Sequence, residues 1–457
     1  MIFSRHNIFS RINDSENYFL VNLLHGNADI LSPEEGEMVN EYLLGKEIQP
    51  DFFESLVNKS YIVDEAAENK IFKLKYLDFI DDRDDEEIQL FFVPNYSCNF
   101  ACTYCYQDEY TTAKQGLTTE VVDAFFNYIA SDFAGKRKYI TVFGGEPLLE
   151  SPKQKELIKY LLSKAADAKL EVCFVTNGYA LTDYVDILRH ASIREIQITL
   201  DGIGEMHDKR RFLKGGGATF NKIADGVDAC LKNQLPVNLR MVIDKENVAG
   251  LSELAQFAID RQWTENSLFK TQLGRNYELH HCQTSSDKLF SRISLYETVF
   301  EQVKLHPHIL QFYKPAYSVA KFLSENGELP EPLFDACPAC KSEWAFDFTG
   351  QIFSCTATVG KEGESLGTFY PSVTRKSDII SIWESRDVTS IAGCKNCSLQ
   401  LACGGGCGSV AKNNSGSICS TDCRPVKELL ELGFSAYFDE RYQLSGKSAS
   451  KYADSTD

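Results

Sequence analysis

Between residue 88 and about residue 275 the chain alternates between two apolar patterns, and this alternation limits its fold more than any other feature. The runs IQLFFVP (88–94), YITVFGG (139–145), LEVCFVTNG (170–178), REIQITLDG (194–202) and VNLRMVID (237–244) read as strands, with a last one near LFKTQL. The intervening segments TTEVVDAFFNYIASDF, PKQKELIKYLLSKAADA, LTDYVDILRHA, FNKIADGVDACLKN and VAGLSELAQFAIDRQ read as helices. Strands alternating with helices predict a parallel sheet with crossover helices. Six such units suit an open (β/α) barrel, with functional groups in the loops where strands end.

The flanks divide the rest. Residues 1–85 read as a small α/β unit, in which Ser32 is placed as an N-cap, Pro33 as the first helical residue and Glu34–Glu35 as an acidic first turn. KSYIVDE reads as a strand, and the acidic run DDRDDEE (81–87) as an exposed boundary. The barrel unit spans 86–285, a helical bridge 286–336 and a cysteine-rich unit 337–440 with few long regular elements. The polar tail 441–457 is expected to be disordered.

Charge narrows the function. The 457 residues carry a net charge of −18 and no basic run, which argues against a nucleic-acid partner. No stretch reaches the roughly 18 apolar residues of a membrane span, so no membrane partner is expected. Charge interrupts the first residues too early for a signal peptide, and a cytoplasmic location is expected. Disulfides are rare there, yet the chain has 15 cysteines, and metal is the leading explanation.

Three of them, Cys98, Cys102 and Cys105, follow the first barrel strand with the spacing C-x3-C-x2-C. Thiolates on one short loop can hold three corners of a [4Fe–4S] cluster and leave the fourth iron open. Zinc usually takes four ligands from two separated pairs, which a lone triplet does not supply. The segment CNFACTYCY resembles the signature of the radical S-adenosylmethionine (SAM) superfamily, including Tyr104 before the third cysteine. That resemblance implies a TIM-like partial (β/α)6 barrel. It also implies an open iron that chelates SAM and an electron that cleaves SAM to methionine and a 5′-deoxyadenosyl radical. Gly144, Gly145 and Glu146, with Pro147, resemble the family's GGEP contact for the SAM amino group. Thr176 and Asn177 resemble its TNG. The stretch from Thr199 through Asp201 and His207 to Arg211 is similar to SxDGxxxxHxxxR in peptide-modifying members. There Thr199 takes the place of the SAM-binding serine, and Arg211 that of the arginine paired with the SAM carboxylate. Asp201 reads as a structural turn residue.

The C-terminal cysteines run Cys337-x2-Cys340-x9-Gly350-x4-Cys355, then Cys394-x2-Cys397-x5-Cys403-x3-Cys407, then Cys419 or Cys423. Eight ligands could hold two zinc ions or two [4Fe–4S] clusters. The spacing resembles the SPASM extension of radical SAM maturases, which holds two auxiliary [4Fe–4S] clusters. The resemblance implies Cys337, Cys340, Cys355 and Cys407 for one, and Cys394, Cys397, Cys403 and Cys423 for the other. Three clusters and SAM are then the cofactors. Cys419 is spare, Cys173 and Cys230 read as core, and Cys282 as part of a loop with His280 and His281.

Members with this extension mostly act on ribosomally made peptides or protein side chains. They form thioethers or carbon–carbon crosslinks, epimerise residues, or oxidise Cys or Ser to formylglycine. Residues 1–85 loosely resemble the winged-helix domain that binds a precursor's leader sequence in many of them, and the electron donor would be a flavodoxin or ferredoxin. Thr356 follows Cys355 where the sulfatase-maturing branch has an aspartate base, and a threonine hydroxyl is a poor base. The leading expectation is therefore a peptide thioether maturase. Carbon–carbon crosslinking, epimerisation or formylglycine-type oxidation of a peptide or protein, radical dehydrogenation of a small molecule, and a non-catalytic zinc scaffold or nucleic-acid binder are the alternatives. The sequence names no catalytic side chain.

Overall fold

A computed structural model describes residues 1–105, 116–275 and 286–438. The readings made for Cys282 with its two histidines, and for the tail 441–457, lie outside the described residues.

The chain opens with strands β1 (Ile2–Phe3), β2 (Asn7–Arg11), β3 (Tyr18–Asn22) and β4 (Asn27–Leu31), of which β2, β3 and β4 form an antiparallel sheet. Three helices follow, Pro33–Leu43, Pro50–Asn58 and Glu65–Asp84, and β5 (Ile62–Val63) pairs with β1. Ser32 caps the first helix as expected. Its hydroxyl accepts from Glu35 N at 3.2 Å, and the Glu35 carboxylate accepts from Ser32 N at 2.8 Å. That reciprocal pair satisfies two amides the helix leaves open. The acidic run differs from expectation, because Asp81–Asp84 form the last turn of the third helix. The cause is packing on the opposite face. Phe72, Tyr76 and Phe79, spaced as one helical stripe, surround the fully buried Phe334 with ring centroids 5.2–5.4 Å away.

The barrel strands β6 (Ile88–Val93), β7 (Lys138–Val142), β8 (Val172–Thr176), β9 (Ile193–Thr199), β10 (Val237–Ile243) and β11 (Phe269–Arg275) are parallel and adjacent in chain order. Helices Thr119–Asp132, Pro152–Asp167, Leu181–Leu188, Phe220–Lys232 and Leu251–Asp260 return the chain each time. Both faces of β6 are buried, which is why its sequence shows no polar alternation. Leu90 and Phe92 join the helix-side core, while Phe91 and Val93 pack with Phe143, Ala345 and Phe353 on the other face.

The bridge is helical as expected, over Arg292–Leu305, Ile309–Phe312 and Ala320–Asn326. Beyond it the structure departs from the sequence reading. Strand β12 (Glu343–Asp347) lies parallel to β6, from Glu343 opposite Gln89 to Asp347 opposite Val93. Strands β13 (Gln351–Phe353), β14 (Gly367–Thr368) and β15 (Thr374–Arg375) extend the same sheet antiparallel, to ten strands. The helix Val426–Phe438, also unforeseen, stacks Phe434 on Phe19 at 4.8 Å. The N-terminal unit therefore shares a core with the C-terminal one. Among the described residues no helix is long and apolar enough to cross a membrane.

Replacing Phe334 with alanine removes the ring on which three aromatic side chains converge. A loss of about 3–5 kcal/mol is expected in denaturant unfolding. A loss below about 1 kcal/mol would show that the N-terminal helix is held by something else.

Candidate functional site

The loop after β6 carries Cys98, Cys102 and Cys105, all half-buried. Its backbone is pinned by the segment after the helix Gly204–Arg210. Ala101 N donates to Phe212 O at 2.9 Å, Thr103 N to Arg210 O at 3.0 Å, and Lys214 N to Asn99 O at 2.8 Å. Phe100, 2 % exposed, anchors the loop's underside, and its amide donates to Cys98 Sγ at 3.3 Å. Burial pushes the Cys98 thiol up to about 11 against that amide's pull. Three thiols thus share one loop of fixed backbone.

The loops after β7 and β8 lock onto it. Gly145 N donates to Asn95 O at 3.1 Å and Glu146 N to Ser97 O at 2.8 Å. A Cβ on Gly145 would sit 2.1 Å from Ser97 O, so only glycine allows this approach. The paired glycines therefore bring two protein loops together. Glu146, 1 % exposed, takes three donors: Leu148 N at 2.8 Å, Thr176 Oγ1 at 2.6 Å and Asn177 N at 2.6 Å. Burial raises its pKa and those donors oppose the rise. The carboxylate acts as a clip between loops. Asn177 Nδ2 reaches Asn99 Oδ1 at 2.7 Å, tying the third loop to the cysteine loop. Thr199 ends β9, almost buried, and is paired in register with Arg240.

Arg211 is 8 % exposed and donates from one terminal nitrogen to Tyr104 Oη at 2.8 Å. Its Nε is buried without a partner. An orphaned guanidinium N–H beside a three-thiol loop fits a carboxylate-bearing ligand, since the fork would satisfy two oxygens. Behind it lies a network the sequence did not disclose. Arg210 donates from one nitrogen to both oxygens of Asp244 at 2.9 Å, and its Nε lies 3.4 Å from Asp201. Asp201 also accepts from Val242 N at 3.0 Å, in keeping with a structural role. Burial holds His207 neutral, its pKa lowered to about 3. Its Nδ1 accepts from Asp201 N at 3.1 Å, so its Nε2 carries the proton toward Thr219. Arg210 was missed because its acidic partner is 34 residues away. The only local signal was a second arginine beside Arg211.

The C-terminal thiols fall into two electrostatic neighbourhoods. Cys337 interacts with Cys407, Cys340 with Cys355 and Cys337, and Cys355 with Cys337. Cys394 interacts with Cys403, Cys397 and Cys423. Burial first, then these neighbours, raise the Cys340 thiol and push Cys394 up to about 11. Crowded buried thiols resist ionisation unless a cationic centre compensates them, and this donor set fits iron–sulfur clusters. Gly404, Gly405 and Gly406 all have φ of 62–74°, which lets the chain coil between Cys403 and Cys407. Arg386, fully buried, donates to the carbonyls of Gly405, Gly406, Ile418 and Ser420. Cys419 is exposed, and Cys173 and Cys230 are buried. Thr356 N donates to Glu343 Oε1 at 2.8 Å, so a carboxylate on β12 stands beside Thr356.

Residues 92–258 match the Radical SAM superfamily, so the barrel is a radical SAM domain. A GTP 3′,8-cyclase of Rhizobium leguminosarum bv. trifolii is 33% identical over 168 residues, which cover 36% of this chain and 46% of that protein. The chain spans about half the length of the curated relatives it matches. Two solved folds extend the likeness. The structure of anSMEcpe with bound AdoMet and the Cp18Cys peptide has a TM-score of 0.61 at 16% identity, covering 77% of this chain and 98% of that one. Streptococcus suis SuiB bound to its precursor peptide SuiA has a TM-score of 0.50 at 14% identity, covering 92% of this chain and 98% of that one. At these identities the likeness is one of fold.

Replacing Arg210 with methionine leaves Asp201 and Asp244 facing each other without their cation. Removing one partner of a buried pair costs about 3–5 kcal/mol, so the variant is expected to melt well below the parent. An unchanged melting temperature would show that the carboxylates are neutral in the fold.

Proposed function

We propose that this protein is a radical SAM maturase that modifies a ribosomally made peptide. The observation that carries the reading is the meeting of three thiols on the loop after β6 with Tyr104 and the half-satisfied Arg211. Cys98, Cys102 and Cys105 would hold the SAM-binding cluster. When bound, that group supplies the electron that cleaves SAM to methionine and a 5′-deoxyadenosyl radical. Arg211 would take the SAM carboxylate, Thr199 and the loops clipped by Glu146 would line the SAM site, and Asn177 would brace the cysteine loop. Cys337, Cys340, Cys355 and Cys407 would hold one auxiliary cluster. Cys394, Cys397, Cys403 and Cys423 would hold the other; Cys419 and Cys423 are both exposed, but Cys423 is the one that interacts with Cys394, so Cys419 would stay outside both. With four protein ligands each, neither would have a vacancy for substrate, and both would be suited to carrying electrons to or from a flavodoxin or ferredoxin.

The peptide assignment is supported by fold. Both solved neighbours carry peptides, and SuiB's carries the precursor SuiA. The cyclases share only about a third of this chain, so their nucleotide substrate does not transfer with them. In the N-terminal unit β4 is, among the described residues, an edge strand paired with β3, with Lys59 and Tyr61 bonded to its Asp29 side chain, and an edge strand suits an extended leader sequence that adds as a further strand. Among the possible products a thioether crosslink leads.

The test is anaerobic incubation with a short peptide encoded beside the gene, SAM and dithionite, read by mass spectrometry. Loss of two hydrogens per event is expected for a crosslink. Cys98→Ala should release no 5′-deoxyadenosine. Cys403→Ala should keep measurable release while the crosslinked product vanishes. Undiminished product from Cys403→Ala would refute the electron-transfer role.

A further inference from the structure

Two adjoining cavities of about 440 and 610 Å³ lie where the end of β11, the bridge helix Arg292–Leu305 and the C-terminal unit meet. Arg275, Arg292 and Arg424 line both. Arg275 is the last residue of β11, at the strand edge from which the loops of the SAM site also leave. We propose that these arginines form a recognition site for a carboxylate of the peptide substrate, from an acidic side chain or the chain terminus; this rests on the peptide-modifying reading above.

The three side chains are not equally engaged. Arg292 holds Asp422 through both oxygens at 2.7 and 2.8 Å and donates to Cys423 O at 2.9 Å. Arg275 donates to Phe290 O at 2.7 Å. Arg424 lines the space with no side-chain partner among the described residues. All three face Tyr296, whose phenol burial raises and whose guanidinium neighbours pull the other way. Among the described residues that line the cavities, the three guanidinium groups meet one carboxylate, that of Asp422, which Arg292 already holds. Leu273, Leu295 and Val299 supply apolar walls. A carboxylate on a short apolar arm matches cationic forks set among leucines, and a guanidinium accepts two carboxylate oxygens in one plane.

The test uses the full chain, anaerobically reconstituted, with SAM bound, and isothermal titration with three pentapeptides and, as a further control, a phosphoserine one. One is acetyl-Gly-Gly-Asp-Gly-Gly-amide, the second its asparagine counterpart, and the third acetylated pentaglycine with a free C-terminus. The aspartate peptide is expected to bind at least about tenfold more tightly than the asparagine peptide, the scale of a charge-assisted pair. Arg424→Gln should shrink that ratio to about twofold or less, and Arg424→Lys should restore part of it. Preference for the free terminus over the aspartate assigns the site to the end of the peptide. Equal binding of the aspartate and asparagine peptides to the parent protein, or a ratio that survives Arg424→Gln, overturns the proposal. So does tighter binding of a phosphoserine pentapeptide than of the aspartate one. The parent comparison needs no variant to fold, and release of 5′-deoxyadenosine is measured separately. Discrimination lost with release intact therefore sinks this site alone, whereas release absent with discrimination intact sinks the radical reading alone.

Discussion

Strand β6 is hydrogen-bonded along both edges, to β7 on one side and β12 on the other. Its C-terminal end runs straight into the cysteine loop, so the position of those thiols is set by a strand that cannot shift by one residue without turning Phe91 and Val93 out of their core. The same pairing brings the C-terminal cysteine unit against the barrel. Phe348 N donates to Val93 O at 2.9 Å, and Tyr96 Oη to Asp347 at 2.8 Å, one residue pair beyond the register. Two units 250 residues apart in sequence thereby become one sheet.

From that base the site is held by buried polar groups that satisfy one another. Glu146 fastens the second and third loops, Asn177 fastens the third to the first, and Arg210 fastens the fourth to β10 through Asp244. Each would be costly to bury alone. Among the described residues they leave Arg211 Nε unspent at the place where a ligand is expected, and Arg240 Nε unspent on the strand beside Thr199. A rigid frame with unspent donors is what preorganised binding needs, since the ligand then orders little but itself.

The barrel was legible because its strands are buried on both faces and read as unbroken apolar runs between amphipathic helices. The cysteine loop was legible because its ligands are local, three residues within eight. The partitioning of the C-terminal thiols came from family spacing alone. What could not be read depends on distance along the chain. Nothing near Glu343 announces a partner strand at Gln89, and nothing near Arg210 points to Asp244. The convergence of Arg275, Arg292 and Arg424 exists only after three separate elements have packed. The acidic run at 81–87 is exposed, as its charges announce, but the helix that carries its first residues was not legible there, because Phe72, Tyr76 and Phe79 on the opposite face keep the helix going.

The stacking of Phe19 on Phe434, and the aromatic cage around Phe334, give the first 85 residues half of a hydrophobic interior whose other half lies in the last hundred described. Such a segment is no detachable cartridge. Grafted onto an unrelated barrel, it would present bare leucine and phenylalanine surface to water unless the helix Val426–Phe438 and its surroundings travelled with it. Swapping specificity between enzymes of this shape would therefore mean moving both ends of the chain as one piece.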